Sequence, residues 1–353
     1  MRVAFVAIET TRQEEASGTR RLERVARLLA DRGHDVTIFC SQWWDDYDDE
    51  MVVDGVRYRA VTLGRAPSSF FARLPVLLGR YRPDVIHTRP VPPKQVIAAV
   101  AGSKLGRAPL AVEWYGNENV DESERGTRWA ASKSNRVITP SEFVRTSVRE
   151  LGGTDGNTCV IPESIDFSEI EAAEPAEEVD VVYAHPLDES ANVDDLLLGL
   201  AELRERDWSA TIIGTGPLRE EYETEVQKLR IDDRVEFVGA CDRQKRLSIY
   251  RGAHAFVQTA YREVFATELL WALACGCIGI VEYQAESSAH ELIENYDRSY
   301  RVTDPQELAD AIVDAGEFEQ LTRDDDWLEY DHDRIIEQYL AEYREIQAEF
   351  GSL

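Results

Sequence analysis

The chain has 353 residues and sets 67 acidic side chains against 39 basic ones, for a net charge of −28. Its length exceeds one ordinary core and argues for two domains, and a 43% hydrophobic content excludes a disordered chain. No apolar run is long enough to span a bilayer, the opening MRVAFVAIET lacks the apolar core of a signal peptide, and this much negative charge disfavours nucleic acid as a partner.

In chain order, Val3–Ile8 reads as a buried strand. Thr19–Arg32 reads as a helix with Leu22, Val25, Ala26 and Leu29 on one face and Gly33 as its stop. Val36–Cys40, Asp84–His87, Leu110–Trp114, Val137–Thr139 and Cys159–Ile161 read as further strands, with helical segments between several of them. The acidic stretch 166–178 reads as a linker. The alternation then restarts with strands Val179–Ala184, Ala210–Gly214, Val235–Gly239, Ala255–Thr259 and Ile278–Val281. Helices Val193–Arg206, Leu218–Arg230, Arg243–Arg251 and Thr267–Cys275 separate them. The tail Asp333–Phe350 reads as a long amphipathic helix carrying Ile336, Tyr339, Leu340, Tyr343 and Ile346 on one face. Continuous apolar strands alternating with helices predict an α/β chain with two doubly wound parallel sheets, a fold that by itself names no reaction.

Only five of the basic residues are Lys, and the acids are scattered over most of the chain. This suits a high-salt cytoplasm, where screening shortens charge repulsion to a few Å; an acidic surface for cations or basic partners is the other reading. Cys40, Cys159, Cys241, Cys275 and Cys277 show no C-x-x-C spacing and read as buried free thiols, with no metal expected. Residues 55–112 break the trend, with ten basic residues and one acid. Because aromatic and aliphatic residues interleave with these cations, the segment suits an anionic membrane surface or a lipid-phosphate acceptor. Equally, Leu74, Leu77, Leu78 and Tyr81 could pack a helix on the sheet with Arg on its outer face.

Taken together, Ser17-Gly18-Thr19, RGHDVTIF (32–39), RPDVIHTR (82–89), RVITPSEFVR (136–145), VIPESID (160–166), NVDDLLLGLAEL (192–203), IIGTGP (212–217), RVEFVGA (234–240) and Glu263-Val264-Phe265-Ala266 closely resemble the family-4 retaining glycosyltransferases. The resemblance implies the GT-B fold: two facing Rossmann-like domains with parallel sheets and a C-terminal helix returning to the first. It implies an acceptor-side domain over 1–165 plus 331–353 and a nucleotide-sugar domain over 166–330. The reaction implied moves a sugar from a nucleotide diphosphate sugar to a glycan or polyprenyl-phosphate-linked acceptor, with no metal or cofactor.

By the same resemblance, Glu263 and Tyr115 take the catalytic positions. Gly18, His185, Gly214, Gly216, Phe265, Ala266 and Thr267 fall on the donor side, and Arg20, His87 and Asn117 on the acceptor side, although His87 reads equally as a packed strand-end His. Gly18 and Thr267 open helices whose free N–H groups suit phosphate, and Gly214 and Gly216 would let a nucleotide approach the backbone. Several family positions are changed. Trp271 stands where a ribose-binding acid is usual, and Pro186 and Ala191 where an Arg and a Lys neutralise the diphosphate. Tyr115 replaces a His, Val264 and Ala266 replace glycines, and Glu163-Ser164 replaces an Asn-Gly turn. His185 is the substitute cation within reach. These changes keep a second reading open, a catalytically inactive member that binds glycan or partners an active glycosyltransferase. A third, an epimerase or phosphorylase, is weaker: a phosphorylase of this fold needs a Lys-bound cofactor, and no Lys lies between Lys133 and Lys228 or after Lys245.

Overall fold

The computed structural model describes residues 1–118 and 125–351 and divides into two compact units, 1–163 with 333–353, and 164–332. In the first unit the order is β1 (Arg2–Val6), α1 (Ser17–Asp31), β2 (Asp35–Ser41), β3 (Glu50–Val53), β4 (Val56–Thr62), α2 (Pro67–Tyr81) and β5 (Val85–Thr88). It continues with α3 (Pro93–Gly106), β6 (Leu110–Glu113), α4 (Arg125–Lys133), β7 (Arg136–Thr139), α5 (Glu142–Glu150) and β8 (Thr158–Val160). The strands form one sheet in the order β3-β4-β2-β1-β5-β6-β7-β8, parallel except for the edge strand β3. β1 is central, with Val3 opposite Val36 on one side and Val85 on the other. Its run of apolar residues is buried on both faces, as a parallel strand covered by helices requires.

The second unit begins with α6 (Phe167–Ala172), inside the segment read as a linker. Asp166 caps it by accepting from the Ser168 N–H, and Phe167 and Ile170 turn into the core. The segment's acidic composition hid this one-turn amphipathic pattern. β9 (Val179–Ala184), α7 (Val193–Glu202), β10 (Ala210–Ile213), α8 (Arg219–Leu229), β11 (Val235–Gly239), α9 (Arg243–Gly252), β12 (Ala253–Gln258), β13 (Arg262–Glu263) and α10 (Thr267–Ala274) follow. Then come β14 (Ile278–Glu282), β15 (Glu286–Ser287), α11 (Ala289–Ile293), β16 (Ser299–Val302) and α12 (Pro305–Ala315). Six strands pair in the order β11-β10-β9-β12-β14-β16, all parallel, which is the doubly wound order with its reversal between β9 and β12. β13 and β15 make a separate two-stranded ribbon. Asp242 and Asp304 cap α9 and α12 with their side chains, and so fix where two of the crossover helices start.

The chain then returns to the first unit as α13 (His332–Gly351). Ile336, Tyr339, Leu340, Tyr343 and Ile346 are all buried, in one cluster with Val3, Phe5, Leu22 and Leu29. A polar network runs beneath them. Arg21, 1% exposed, donates from Nε to Glu113 at 2.8 Å and from Nη2 to Tyr339 Oη at 2.7 Å and the Ile161 carbonyl at 2.6 Å. Tyr339 donates to the other Glu113 oxygen at 2.8 Å. Burial alone would push the Glu113 carboxyl up, but the Arg21 charge and the His87 and Tyr339 hydrogen bonds hold it down at about 2. At the far end of β7, Arg136 reaches Glu342 at 2.8 Å and Glu345 at 3.1 Å on the same helix.

The five cysteines are all free thiols; Cys40, Cys275 and Cys277 are buried, while Cys159 and Cys241 are half-buried. No group of the described residues could hold a metal ion, and no described helix is long and apolar enough to cross a membrane.

Removing one partner from a buried charge pair leaves the other uncompensated. Arg21→Met is therefore expected to lower stability by about 3–5 kcal/mol in denaturant unfolding. Glu113→Gln, which keeps hydrogen-bonding capacity, should cost less.

Candidate functional site

In the first unit a concave pocket of about 1010 Å³ lies at the carboxyl ends of β1 and β5, where the sheet order reverses. Ala7 and Ile8 leave β1 into it, Arg89 leaves β5 into it, and Ala16, Ser17 and Arg20 bring the start of α1 to its wall. Arg20 is exposed and held by Glu15 at 3.2 Å and Ser17. Asn117 and Glu118 close another side. Both Glu118 oxygens accept backbone N–H groups, from Tyr115 at 2.9 Å and Gly116 at 2.7 Å. Burial nevertheless raises its carboxyl pKa above the usual range. Gly18 has reason to be a glycine: a Cβ there would sit 3.3 Å from Glu118 Oε1, 3.3 Å from the Tyr115 Cβ and 3.5 Å from Arg89 Nε.

Two sequence expectations for this unit are corrected. His87 is 0% exposed and does not reach the pocket. Its ring stacks on Phe5, its Nδ1 faces the Tyr343 hydroxyl, and its Nε2 lies 3.2 Å from Glu113, so the α13 network consumes it. Tyr115 is also buried and is not among the residues lining the pocket, which removes it from a wall a substrate would touch. Arg89, which sequence reasoning passed over, is on that wall.

In the second unit the matching position is the reversal between β9 and β12. His185 follows β9 and Gln258 ends β12, while Glu263 sits on the ribbon strand just before α10. The His185 Nε2 lies 3.3 Å from Glu263 Oε1, and Gln258 Nε2 donates to the same oxygen at 3.3 Å. The other ring nitrogen, Nδ1, is 2.8 Å from the Pro186 carbonyl. Both nitrogens thus face oxygens that can only accept, an arrangement that favours the doubly protonated ring. Burial works against that charge, but the Glu263 hydrogen bond and carboxylate outweigh it and raise the His185 pKa. The Oε1 of Gln258 is buried without a partner.

The α10 start carries no side-chain cap, and Thr267 is half-buried there; Phe265 and Ala266 put their side chains into the hydrophobic core, leaving only backbone to the site. Trp271 is 3% exposed on the inner face of α10, under the Arg243 guanidinium at 4.9 Å. Arg246 pairs with Glu268 and Arg262 with Glu286, so neither cation lies in an ion pair with Glu263.

Gly214 and Gly216 do not form the open cradle expected of them. A Cβ at Gly214 would lie 2.0 Å from the His185 carbonyl oxygen, and one at Gly216 only 2.1 Å from that of Leu187. These glycines let the β10–α8 loop close onto the loop carrying His185, where His185 N–H donates to Ile213 and Leu187 N–H to Thr215. A carboxyl pair beyond sequence reasoning joins Asp195 on α7 to Glu282 at the end of β14: Asn192 Nδ2 donates to both. Burial, then the Asp195 charge, pushes Glu282 up to about 8.

Residues 18–163 match the glycosyl transferase 4-like domain, and residues 165–324 match the glycosyl transferases group 1 family. A search of the curated proteins finds no match. Among solved structures, a glycosyltransferase from Rickettsia africae superposes with a TM-score of 0.76 at 14% identity, covering 98% of each chain. The lipopolysaccharide outer core galactosyltransferase WaaB superposes with a TM-score of 0.69 at 16% identity over 100% of both chains. Anabaena HepE, solved with UDP and glucose, superposes with a TM-score of 0.65 at 17% identity, covering 97% of this chain and 98% of its own. At these identities the superpositions establish the fold.

Gly216→Ala would force a side chain into backbone and displace the loop that carries His185. The expected cost is about 1–3 kcal/mol in thermal unfolding, with a shift of the His185 ring resonances that a remote glycine substitution does not produce.

Proposed function

From a chain that is a glycosyltransferase, built of a glycosyl transferase 4-like domain and a glycosyl transferases group 1 domain on the GT-B fold, we propose retaining transfer from a nucleotide diphosphate sugar. The acceptor in this reading is a glycan or polyprenyl-phosphate-linked glycan of surface assembly. The observation that carries it is the His185–Glu263 pair at the switch point of the second unit. In this reading a protonated His185 offsets diphosphate charge where Pro186 and Ala191 supply none, through its proximity while its two N–H groups stay on Glu263 and the Pro186 carbonyl. Glu263 in this reading contacts the donor sugar, and the uncapped start of α10 adds free N–H groups and the helix dipole. Gln258 Oε1 is an unused acceptor for a sugar hydroxyl.

Retention requires the donor's leaving diphosphate and the incoming hydroxyl to share one face of the sugar. In this mechanism His185 neutralises the departing charge and Glu263 orients the sugar and the ring of His185. No metal is assigned a role. Acid-rich, Lys-poor composition supports a high-salt cytoplasm as the setting.

The first unit supports a peripheral membrane position. Arg73 and Arg80 are exposed on α2, Lys104 and Arg107 at the end of α3, and Leu63 and Leu105 beside them are 79% and 61% exposed. Phe70, Leu74 and Leu78 pack α2 inward, so the helix both covers the sheet and presents cations outward. The alternative, an inactive partner subunit of another glycosyltransferase, draws on Trp271, Pro186, Ala191 and Tyr115 together, which stand where the resembled family carries charged or ionisable side chains.

Release of nucleoside diphosphate from a panel of donor sugars, with the product anomer read by NMR, tests the reaction. Retention with loss in Glu263→Gln is expected; an inverted product or no turnover with any donor contradicts it. The pH dependence has a definite sign. Because the His185 pKa is raised, its charge is full below the ordinary value of 6.5 and is lost as pH rises through the raised value. Donor affinity should fall over that range, and His185→Gln should flatten the profile and weaken binding by roughly tenfold or more. For the membrane position, flotation with phosphatidylglycerol vesicles but not with phosphatidylcholine vesicles is expected, and it should fail for the Arg73→Glu, Arg80→Glu double variant.

A further inference from the structure

We propose that Asn192, Asp195 and Glu282 position the loop that carries His185, and that one proton held between the two carboxyls keeps this loop closed on the end of β12. The positioning rests on geometry within the second unit. Only its consequence for donor binding rests on the transferase reading.

The loop runs from His185, just past β9, to Asn192, the N-cap of α7, whose φ is +49°. Asn192 is 3% exposed. Its Nδ2 carries two hydrogens and has three acceptors in reach: Asp195 at 3.0 Å, the Thr259 carbonyl at 3.2 Å and Glu282 at 3.2 Å. Thr259 Oγ1 donates back to the Asn192 carbonyl at 2.6 Å, so the end of the loop and the chain past β12 hold each other in both directions. Tyr183 Oη donates to the Ala191 carbonyl at 2.5 Å, and the Tyr261 N–H to that of Ser190 at 2.9 Å. Closure of the loop on β12 therefore converges on Asn192, and Asn192 in turn sits on the two acids.

One neutral amide cannot offset two full carboxylates. The charges acting on Glu282 are negative, Asp195 on α7 and Asp304 at the cap of α12. Asp194 of α7 adds to them at Tyr261, which also feels Asp195 and Glu282. Arg301 on β16 stands opposite Val281, on the other face of the sheet from Glu282, and His290 of α11 lies against the Tyr283 ring. Gln284 Nε2, a neutral donor, reaches Glu282 Oε1 at 2.9 Å. Glu282, only 6% exposed, is also hydrogen-bonded to Asp195, and two carboxyls bond to each other only with a proton between them. While Glu282 holds that proton, Asn192 serves one negative charge. Once it is lost, two charges crowd the amide. Glu282 is fixed on a strand inside the sheet, so the start of α7 gives way, taking Asn192 and the loop with it. The sign is definite: a carboxyl raised by folding contributes stability that is full below its ordinary value of 4.5 and is lost as pH rises through about 8.

The full chain, isotopically labelled at its Asn side chains, is titrated by NMR from about pH 6 to about pH 9.5, and hydrogen exchange of residues 185–192 is read by mass spectrometry at both ends of that range. The Asn192 side-chain amide should titrate with a midpoint near 8. At the alkaline end the wild-type loop should exchange about tenfold faster than that of Glu282→Gln, and at the acid end equally. Glu282→Gln and Asp195→Asn each keep an acceptor for Asn192 and remove one charge, so both should abolish the titration. Glu282→Ala, which removes the acceptor, should open the loop at every pH. If a variant does not fold, the wild-type titration decides. An Asn192 amide that does not titrate, or that titrates unchanged in Glu282→Gln, overturns the proposal. UDP binding at the two pH values reads the consequence: its alkaline loss should be smaller in Glu282→Gln, with the remainder belonging to His185, and an equal loss overturns the link to the donor site. Absence of UDP binding in the wild type, with the Asn192 titration intact, would instead sink the donor reading and leave the positioning standing.

Discussion

A guanidinium sealed from water must keep its carboxylate, and Arg21 keeps Glu113 at 2.8 Å with both side chains essentially unexposed. The constraint reaches far because of where the two residues stand. Arg21 lies one turn into α1, three residues after Gly18, so its position fixes the angle at which the helix start meets the pocket. Glu113 ends β6, and the chain that follows it carries Asn117 and Glu118 onto the pocket wall. Tyr339 and Tyr343 bring α13 into the same network, so the last helix of the chain is tied to the first. Closing a loop of this length is entropically tolerable, whereas opening it would strand buried charge. The pocket thus owes its shape to a network that never touches it.

The two units use the same topological opportunity with different chemistry. Each sheet reverses its order beside its first strand, and each places polar groups just past the carboxyl ends of the strands on either side. In the second unit the group is the His185 imidazole, whose pKa its carboxylate partner raises, so its charge depends on pH. In the first it is a guanidinium, whose charge does not.

Much of this was legible in the sequence, for physical reasons. Strands buried on both faces read as continuous apolar runs, and the β1, β5, β9 and β12 segments appear so. The α13 face was visible as a helical stripe because period and burial agree over twenty residues. The β3–β4 hairpin was overlooked although Asp54-Gly55 is a strong turn signal; both residues have positive φ. Contacts distant in sequence stayed hidden. His87 looked like a strand-end candidate because nothing local announces that Tyr343, on the last helix, occupies it. Gly214 and Gly216 were recognised as significant, but a missing side chain does not say whether a ligand or another loop fills the space. Arg89 drew no attention because its meaning lies in being buried and unpaired, a property of the fold alone.

Calorimetric titration of the purified chain in molar KCl with UDP, GDP and their sugar conjugates tests the central claim, a working donor site at His185 and Glu263, most directly. Saturable micromolar binding of one nucleotide series, abolished in Glu263→Ala, is the predicted result. A folded protein that binds none of them would contradict the account and leave the partner-subunit reading in its place.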